Sequence, residues 1–442
     1  MDAATRGLNT AVVEASDFAA GTSGRSTKLI HGGIRYLETA FMKLDYAAFK
    51  LVNEALEERS FFLGRALHEP AAAHHDPHLQ VVEVPYTWVG AAYDVVAGSK
   101  RFVPGSYYIN AEEAMFQFPM LRKEGLKGAI VYYDGQMNDT RMNDDEGKVR
   151  GAHVKDSITG EVGRQGARRR ERHRPFTDAL RQMDDPKKEK ICVPAAGVHG
   201  AADHFSPNRM GLIVPKTSDA ACSSSCRGRT ERWPEEVDFI IDEANRYLAK
   251  DVTRNDIKSA WSGIRPLVKD PRHADGSTAK ISREHVVEVS DSNMVTIAGG
   301  KWTTYRRMAQ DAIDKLVETV PEIKAKASPC KTKEVGIIGA DRIGEVCNKK
   351  FDKITVTLRE NYNLDKDIAE HLMRNYGTRA LQVEIEQDGF LDRKHSDHPR
   401  RLHPSTRISR LRSFAVRQEY ALKATDILGR RMRLAFIDSG VG

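Results

Sequence analysis

The sequence predicts a mixed α/β fold with more than one domain, and three observations support this prediction. Segments of strand character alternate with segments of helical periodicity over much of the chain. A short strand near the start, Thr10 to Glu14, ends in an acidic residue, which is where dinucleotide-binding folds bind a ribose hydroxyl. Paired glycines, Gly299 and Gly300, lie between a strand and a long helix, where bare backbone can approach a ring or a phosphate.

Length and composition set the limits of the prediction. The 442 residues are enough for two or three domains at about 150 residues each. The net charge of +7 is compatible with an anionic small molecule, an anionic membrane surface or nucleic acid, and does not choose among them. No apolar run approaches the roughly 18 to 20 residues that a membrane-spanning helix needs. The five cysteines show neither zinc spacing nor a disulfide framework, which favours a reducing compartment and predicts no metal site.

The first residues indicate the end of a helix, a turn at Gly7 and then the strand Thr10 to Glu14. They lack the basic start and apolar stretch of a signal sequence. In a dinucleotide-binding fold, a Gly-rich loop that holds the pyrophosphate lies about 20 residues before the acidic strand end. We therefore expect that strand and that loop to be missing, with the chain beginning inside the helix that would follow them.

The next elements are one loop, two helices and a strand. A loop rich in Ser, Gly and Thr, Ala19 to Ser26, offers many backbone N–H groups. Apolar residues at helical spacing predict a helix from about Thr39 to Leu67, and VPYTWVGAAYDVVAG predicts another that ends at Gly98. GAIVYYDGQ has the pattern of a strand, and the pair Asp134–Gly135 is interpreted as the turn that ends it.

The pattern changes between about Asn143 and Glu235. Six arginines lie between Arg164 and Arg174, and AACSSSCRGRTERW is small, polar and without periodicity. Between them, FTDALRQMDD predicts a helix and GVHGAADHF is less regular.

Regular structure is predicted again from residue 236. EEVDFIIDEANRYL is an amphipathic helix, WSGIRPLV a strand, and EHVVEVSDSNMVTIAGG two strands around a turn at Asp291–Ser292. A long helix is expected to begin just after the paired glycines, in KWTTYRRMAQDAIDKLVETV, and the last hundred residues are mostly helical.

Two motifs combine bare backbone with a cation. In KLIHGGIRYLE, a histidine and two glycines precede an arginine and a tyrosine, and in AGGKWTTYR, Lys301 follows the paired glycines. A helix N-terminus next to a lysine attracts anionic or electron-rich groups. A plain strand-to-helix turn with a solvated Lys301 stays an open alternative at this point.

Together with WSGIRPLV, these motifs resemble the family of FAD-dependent glycerol-3-phosphate dehydrogenases, and most of all its mitochondrial form. The resemblance runs from about Ala3 to Asn143 and from about Glu235 to Thr319, with DILGRRMRLAF matching the helical cap of the family. It implies an FAD-binding Rossmann-like domain of the glutathione-reductase type, here incomplete, with an antiparallel-sheet substrate domain and a C-terminal helical cap domain. The expected boundaries are 1–190 with 290–318 for the FAD-binding domain, 70–130 with 191–290 for the substrate domain, and 319–442 for the cap.

The resemblance implies that sn-glycerol 3-phosphate loses a hydride from C2 to the flavin and becomes dihydroxyacetone phosphate, with electrons passed to ubiquinone. His199 and Arg265 are the expected catalytic residues, and His199 is the candidate base for the C2 hydroxyl proton. A surface histidine without a role is the alternative interpretation of His199. The residues expected to bind the substrate are Arg35, Tyr36, Arg265, Arg283 and Lys301, a basic set suited to a dianionic phosphate.

The resemblance also implies which residues contact FAD. In the family the His31-Gly32-Gly33 backbone lies against the flavin, where any side chain would collide with the ring, and Lys301 faces the end of the flavin that gains negative charge. The full set is Glu14, Thr22, Ser26, Leu29, His31, Gly32, Gly33, Gly300, Lys301 and Thr303.

The chain departs from its family at two internal places besides its start. The arginine run replaces an expected strand with an Ala-Thr-Gly motif, and AACSSSCRGR replaces a strand expected after Asp219. Both can be explained by shifts of reading frame. Arg169 to Pro175 can be encoded so that a shifted reading gives Val-Val-Asn-Ala-Thr-Gly, and Asp219 to Gly228 so that it gives Arg-Arg-Val-Leu-Phe-Phe-Leu-Pro-Trp, a plausible buried strand. We therefore predict that the arginine run is not a nucleic-acid site, and that sequencing the transcript would show the frame slips.

These departures lead to two hypotheses for the chain as written. Without the pyrophosphate loop and the two strands, it is expected to bind FAD poorly or not at all, so a non-catalytic remnant is the alternative to an active enzyme. A relative of amino-acid or glycine oxidases is disfavoured, because a carboxylate substrate would not need several basic residues.

Family likeness places the protein peripherally on the inner mitochondrial membrane, and a homodimer stays open. The chain has no EF-hand loop that would bind calcium.

Overall fold

The computed structural model describes residues 1–10, 12, 17–26, 28–62, 76–81, 87–98, 103–137, 139, 154–155, 162–163, 170–171, 177–202, 211–213, 233–269, 281–282, 284–336, 339, 347–362, 364–385 and 404–434.

Helices and strands are interspersed from α1 to β13 in the described part of the chain, and the described elements after β13 are helical. The α-helices are α1 Asp2–Thr5, α2 Ile34–Lys43, α3 Tyr46–Phe61, α4 Thr87–Ala97, α5 Ala111–Gln117, α6 Thr177–Asp184, α7 Trp233–Asn245, α8 Tyr305–Thr319, α9 Pro321–Lys324, α10 Cys347–Glu360, α11 Lys366–Tyr376, α12 Ala380–Ile385 and α13 Pro404–Gln418. The strands are β1 Leu29–Ile30, β2 Asp76–Val81, β3 Tyr107–Asn110, β4 Gly128–Gln136, β5 Val154–Lys155, β6 Val162–Gly163, β7 Arg170–Glu171, β8 Cys192–Ala202, β9 Gly211–Ile213, β10 Ile257–Lys269, β11 Ile281–Ser282, β12 His285–Val289 and β13 Val295–Gly299. A π-helical segment, Asp426–Arg431, follows α13.

In the described residues these strands form one five-stranded sheet, two three-stranded sheets and one two-stranded sheet. In the largest, β4 pairs antiparallel with β1, β2 and β3, and β9 runs parallel to β2. A second sheet has the antiparallel order β11-β10-β8. A third has the order β12-β13-β7, with β12 antiparallel and β7 parallel to β13, and β5 pairs with β6. The mixed helix-and-sheet fold predicted from the sequence is therefore confirmed.

The alternation of side chains along β4 separates two parts of the core. Ala129 and Val131 pack with α5 and with the segment after α7, whereas Tyr132 packs with α2, α3 and α4. Asp134 lies two residues beyond Tyr132, so the same period places it on the face that α2, α3 and α4 cover. A buried carboxylate under three helices needs hydrogen-bond donors, and these form part of the site described below.

Two further cores complete the packing. Helix α8 buries Met308, Ala312 and Leu316 against Val295 and Ile297 of β13. The C-terminal helices α10 to α13 form a core of their own that includes Leu358, Leu372, Met373, Tyr376, Val383 and Phe414.

Most helix and strand predictions are confirmed, and the exceptions have physical reasons. The helix predicted from Thr39 to Leu67 is two helices, because Leu44 adopts φ 50° and the Asp45 side chain accepts a hydrogen bond from Ala48 N at the start of α3. The interpretation of Asp134–Gly135 as a turn is wrong, since β4 continues to Gln136. GVHGAADHF, which the sequence indicates to be less regular than the preceding helix, contributes its first six residues to β8. Helix α8 begins five residues after Gly300, not directly after it.

Several predictions fall on residues that the structure leaves undescribed. The strand Thr10 to Glu14 lies mostly outside the described residues, as does the segment after Asp219. Of the arginine run, only Arg170–Glu171 is described, and its backbone pairs parallel with β13 where an expected strand was thought to be missing. No helix in the described ranges has the length and apolar character needed to cross a bilayer.

Candidate functional site

The His31-Gly32-Gly33 segment connects the main sheet to helix α2. Strand β1 pairs with the end of β4, with Ile30 opposite Gly135, and the chain then turns into α2. Gly33 adopts φ +92° at the N-terminus of α2, a left-handed conformation that favours glycine. The segment thereby lies between the end of a strand and the start of a helix.

The buried carboxylate of Asp134 binds this segment through two hydrogen bonds. The Asp134 carboxylate accepts from His31 Nδ1 at 2.5 Å and from the Gly32 N–H at 3.3 Å. It also accepts from Arg59 Nη1 at 2.6 Å and from the Tyr93 hydroxyl at 3.2 Å. Burial alone would lower the pKa of Arg59, but the charge of Asp134 and the contact with Tyr93 raise it. Burial raises the pKa of Tyr93 well above its ordinary value, so the hydroxyl stays a neutral donor.

The need for glycine at position 32 has a cause inside the protein. A Cβ on Gly32 would lie 2.0 Å from the Tyr93 hydroxyl oxygen and 2.8 Å from Leu56 Cδ2. The sequence interpretation assigned this glycine to a collision with the flavin ring. Contacts within the described chain are sufficient to exclude a side chain here, whatever binds on the other side.

The requirement for glycine at positions 299 and 300 comes from the conformation of the backbone. Both residues have left-handed φ angles, +76° and +75°. A Cβ on Gly300 would lie 2.5 Å from Met308 Sδ and 3.1 Å from His285 Cβ. The pair turns the chain from β13 into the short turn of residues 301–304, which leads into α8.

The two glycine motifs meet in space although they are more than 260 residues apart. The Thr303 hydroxyl donates to the His31 carbonyl at 3.3 Å. The Lys301 ammonium lies 4.0 Å from the centre of the Tyr36 ring, a cation–π contact. The Thr304 side chain does not cap α8, because its hydroxyl donates to the Lys301 carbonyl. The N-terminus of α8 therefore lies beside the histidine-glycine segment with no side-chain cap from its N-cap residue.

The Ser/Gly/Thr-rich loop joins the same region. Trp302 Nε1 donates to the Ser23 carbonyl at 2.9 Å. The Thr22 hydroxyl donates to the Ile264 carbonyl of β10 at 2.7 Å, and Arg25 Nη1 donates to Ser262 O at 3.2 Å. The loop is thus held between β10 and the turn that precedes α8.

A second buried acidic residue fixes the end of this loop. Asp139 Oδ2 accepts from the Ser26 hydroxyl at 2.8 Å and from Lys28 Nζ at 2.7 Å. Burial lowers the pKa of Lys28, and the charge of Asp139 opposes that shift. The Asp139 carboxylate thus fixes Ser26 and Lys28, and the pairing of β1 with β4 fixes Leu29.

The C-terminal segment contacts the residues just before the loop. The buried Asp17 carboxylate is bound by Arg430 and Arg431 of the π-helical segment, with Arg431 Nη2 3.0 Å from Asp17 Oδ1. The rings of Phe18 and Tyr420 make an edge contact with centroids 5.7 Å apart. The C-terminal region is therefore tied directly to the start of the candidate site.

Paired strands carry the predicted catalytic residues. His199 lies on β8 opposite Trp261 of β10, and Arg265 lies four residues further along β10, opposite Ala195. Arg265 is exposed, and its neighbour Ile264 is the residue to which Thr22 bonds. The strand pairing thus connects the position of Arg265 to the loop, while the side chain of His199 is outside the described part of the molecule.

The structure brings most of the predicted site residues into one connected region. These are Thr22, Ser26, Leu29, His31, Gly32, Gly33, Tyr36, Gly300, Lys301 and Thr303. Glu14 and Arg283 lie outside the described residues, and Arg35 is described by its backbone in α2 only. A common hollow lined by Arg35, Arg265, Arg283 and Lys301 therefore stays a prediction. Among the residues described, no group of His, Cys, Asp and Glu is arranged to hold a metal ion.

Sequence reasoning missed the residues that support the site from behind. Asp134 was interpreted as a turn residue, and Arg59 and Tyr93 fall within predicted helices without a role of their own. The alternation of GAIVYYDGQ carried a signal, because a strand that continues past Tyr133 places Asp134 on the buried face with Tyr132. A buried acid predicts a buried donor, and Arg59 was the charged residue to look for on a covered helix.

Comparisons with known proteins agree along almost the whole chain. Residues 1–145 match a family described as FAD dependent oxidoreductase, and residues 330–442 match the C-terminal domain of alpha-glycerophosphate oxidase. The chain is 40% identical to the probable mitochondrial glycerol-3-phosphate dehydrogenase of Caenorhabditis elegans and 39% identical to the human mitochondrial enzyme, in each case over 99% of this chain and 66% of the relative. It is 36% identical to the mitochondrial glycerol-3-phosphate dehydrogenase SDP6 of Arabidopsis thaliana, over 99% of this chain and 77% of that protein.

A solved structure supports the same fold. The glycerol-3-phosphate dehydrogenase from Bacillus halodurans, complexed with FAD, aligns with a TM-score of 0.70 and 23% identity, over 100% of this chain and 84% of that chain. The present chain spans 66% of the length of the worm and human relatives.

Proposed function

Because the chain belongs to the family of mitochondrial-type glycerol-3-phosphate dehydrogenases, we propose that it oxidises sn-glycerol 3-phosphate to dihydroxyacetone phosphate with FAD and passes the electrons to ubiquinone. One observation carries the proposal. The histidine-glycine segment and the Lys301 turn, distant in sequence, meet through Thr303 and His31 at 3.3 Å and through Lys301 and Tyr36 at 4.0 Å. A redox cofactor that contacts both segments would need them to lie next to each other in this way.

The described residues fit a flavin in charge and in shape. Lys301 and the N-terminus of α8 together supply positive potential, which suits a ring that becomes electron-rich on reduction. Gly32 and Gly33 supply backbone without side chains next to that potential. The residues that would hold FAD are Glu14, Thr22, Ser26, Leu29, His31, Gly32, Gly33, Gly300, Lys301 and Thr303. The bound cofactor supplies the two-electron acceptor that no amino-acid side chain can replace.

The protein's own residues bind the substrate and move its proton. We assign the dianionic phosphate to Arg35, Tyr36, Arg265, Arg283 and Lys301, because several cations favour a phosphate over a neutral group. His199 is the proposed base, which would take the proton of the C2 hydroxyl as the C2 hydride leaves. Arg265, on the neighbouring strand, is the second proposed catalytic residue. The pairing of β8 with β10 supports this, since the two positions lie on the same face of the sheet, about 13 Å apart along the strands, so that the substrate can lie between them.

A lipid surface is the proposed location of the enzyme, at the inner mitochondrial membrane. Ubiquinone dissolves in the bilayer, so its reduction requires the protein to approach the lipid. Four large apolar side chains at the junction of α2 and α3 support peripheral attachment, and we call them the α2–α3 patch: Phe41, Met42, Leu44 and Tyr46. Met42, Leu44 and Tyr46 have exposed fractions of 72%, 90% and 78%. Such a cluster suits insertion at an interface.

The finer architecture is part of the proposal. We assign an FAD-binding domain of the glutathione-reductase type to residues 1–190 with 290–318, a substrate domain to 70–130 with 191–290, and a helical cap to 319–442. The parallel pairing of β7 with β13 supports the first assignment, and the antiparallel β11-β10-β8 sheet supports the second.

The alternative, a non-catalytic remnant that does not bind FAD, is not favoured. The family match extends over 99% of the chain, and the two glycine motifs keep their mutual contacts. Weak FAD binding, expected from the missing pyrophosphate loop, is the outcome that would favour this alternative, and the frame slips stay a separate prediction.

Flavin content and substrate reduction test the proposal. The purified chain would be incubated with FAD, freed of unbound cofactor and examined for visible flavin absorbance. Glycerol 3-phosphate should then bleach the bound flavin and reduce a dye or a short-chain ubiquinone, whereas sarcosine should not. A chain that takes up no flavin would support the remnant hypothesis, and a flavin reduced by sarcosine alone would overturn the assigned substrate.

A further inference from the structure

We propose that Asp134 is a positioning residue for the reaction, which fixes the His31 ring and the Gly32 peptide with one buried carboxylate. The inference rests on the proposed function, because it assigns a role within the same site. It does not follow from the sequence pattern, in which Asp134 resembles a turn residue.

The geometry shows one acceptor shared by four donors. Asp134 has no exposed side-chain surface, and its two oxygens accept from His31 Nδ1, the Gly32 N–H, Arg59 Nη1 and the Tyr93 hydroxyl. His31 and Gly32 belong to the histidine-glycine segment, whereas the other two donors belong to α3 and α4. The carboxylate therefore transmits the position of α3 and α4 to the His31–Gly32 backbone.

The charge of Asp134 is balanced by Arg59, so the contact with His31 is not needed for neutralisation. Arg59 is almost fully buried and forms the ion pair with Asp134, with nitrogen and oxygen 2.6 Å apart. Arg59 Nη1 also lies 2.9 Å from the Tyr93 hydroxyl, and its guanidinium lies 5.2 Å from the centre of that ring. The buried pair is neutral without any charge on His31. A neutral His31 can then donate its Nδ1–H to the carboxylate and keep a lone pair on Nε2.

The opposite side of His31 is fixed as well. The Thr303 hydroxyl donates to its carbonyl at 3.3 Å, so the residue is held from β4 and from the turn before α8. The His31 side chain is 35% exposed, and its Nε2 has no hydrogen-bond partner among the residues that the structure describes. The network thus leaves Nε2 of His31 available at the site. A carboxylate that fixes the tautomer of a histidine in this way acts through that histidine.

The test compares three substitutions in the full chain. Asp134→Asn removes the charge and can offer an amide N–H to His31, Asp134→Glu keeps the charge, and Tyr93→Phe removes one donor without changing the charge. For Asp134→Asn we expect kcat per bound flavin to fall by at least about 10²-fold with KM changed much less, since the phosphate-binding residues are untouched. Asp134→Glu should recover part of the loss, and Tyr93→Phe should cost less than about 10-fold.

A second measurement is independent of flavin. The tautomers of the 15 histidines can be read by nitrogen NMR in the flavin-free chain, with His31 assigned by its absence in His31→Gln. We expect the Nδ1–H tautomer for His31 in the wild type and its loss in Asp134→Asn. If Asp134→Asn does not fold, the same comparison is made with Asp134→Glu and Tyr93→Phe, both of which should keep that tautomer.

The possible outcomes separate this inference from the proposed function. An unchanged kcat per bound flavin in Asp134→Asn, with only thermal stability lowered, would overturn the positioning role. An Nε2–H tautomer of His31 in the wild type would overturn it as well. If the wild type neither binds flavin nor oxidises glycerol 3-phosphate, the proposed function fails, and the tautomer measurement alone decides whether Asp134 orients His31.

Discussion

The two paired-glycine segments of the site look alike in sequence but are held in different ways. Gly32 is excluded from having a side chain by a tyrosine hydroxyl 2.0 Å from its Cβ position, whereas Gly300 is restricted by its own backbone, with φ +75°, and by Met308. Around Gly32 the neighbours are charged and hydrogen-bonded through Asp134. Around Gly300 they are the apolar Met308 and the side chain of His285.

This difference shows that a Gly-Gly dipeptide can be required for two different physical reasons. The first segment is fixed by a polar network, which loses much free energy when one partner is removed and can be repaired when the partner changes with it. The second is fixed by backbone conformation and packing, which no change of a neighbour can fully repair. The stability lost on substitution of Gly32 should therefore be partly restored by changing a neighbouring residue, whereas the stability lost at Gly300 should not.

The largest loss of stability is expected for Gly300→Ala. A left-handed alanine costs about 1–2 kcal/mol, and the overlap with Met308 adds about 1–3 kcal/mol. The free energy of unfolding in urea should thus fall by about 3 kcal/mol. Met308→Ala should not restore it, because the φ angle stays unfavourable. Gly336→Ala, whose Cβ would meet nothing within 4 Å, is the matched control and should be nearly neutral. A loss as small for Gly300→Ala as for the control would contradict the distinction.

A smaller loss, with partial rescue, is expected for Gly32→Ala. The new Cβ overlaps the Tyr93 hydroxyl, and overpacking of this kind costs about 1–3 kcal/mol. In the double variant with Tyr93→Phe that oxygen is gone, and the next contacts are 2.8 Å to Leu56 and 3.0 Å to the ring. The double-mutant cycle should therefore show a favourable coupling of about 1 kcal/mol. Strict additivity of the two changes would mean that the hydroxyl does not limit position 32.

The sequence was sufficient to predict the residues of the two glycine motifs but not the residues that hold these motifs in place. His31, Gly33, Lys301 and Thr303 belong to two motifs of low degeneracy, and the family likeness connected those motifs across the chain. Asp134 was missed because Asp–Gly is also the most common kind of turn signal. Whether Asp134 ends the strand or lies buried in it depends on α3 and α4 covering that face, which is tertiary information.

The fold shows the same division between local and long-range information. Helices α4, α6 and α7 and the strands β10, β12 and β13 were predicted from periodicity and turn residues, because local sequence determines both. The break at Leu44 was missed, since only a cap at Asp45 marks it. The ion pairs of Asp17 with Arg430 and Arg431 join residues more than 400 positions apart, and no local pattern predicts such a contact.

A moderate effect is expected where the Lys301 turn holds the loop. Trp302→Phe removes the hydrogen bond to the Ser23 carbonyl but keeps an aromatic ring next to Tyr305, so the free energy of unfolding should fall by about 1 kcal/mol. Because the loop carries proposed FAD contacts, flavin affinity should also fall. Tyr108→Phe loses a comparable bond, to the Lys127 carbonyl, at an exposed site in β3. If both variants lower flavin affinity equally, the loop is not part of the cofactor site.

The smallest effect on stability, with a distinct effect on location, is expected at the α2–α3 patch, which adjoins the segment after Gly33. Met42→Glu with Leu44→Glu should change the free energy of unfolding by no more than about 0.5 kcal/mol, because both side chains are already exposed. Flotation with vesicles that contain an anionic phospholipid should show weaker binding, while reduction of a water-soluble dye by glycerol 3-phosphate stays unchanged. Phe116→Glu, at an equally exposed apolar residue of α5, is the matched control and should leave vesicle binding intact. Equal loss of binding in both variants would mean that vesicle binding reflects general surface hydrophobicity, and the helix that begins at the histidine-glycine segment would then have no special part in bringing the site to the lipid.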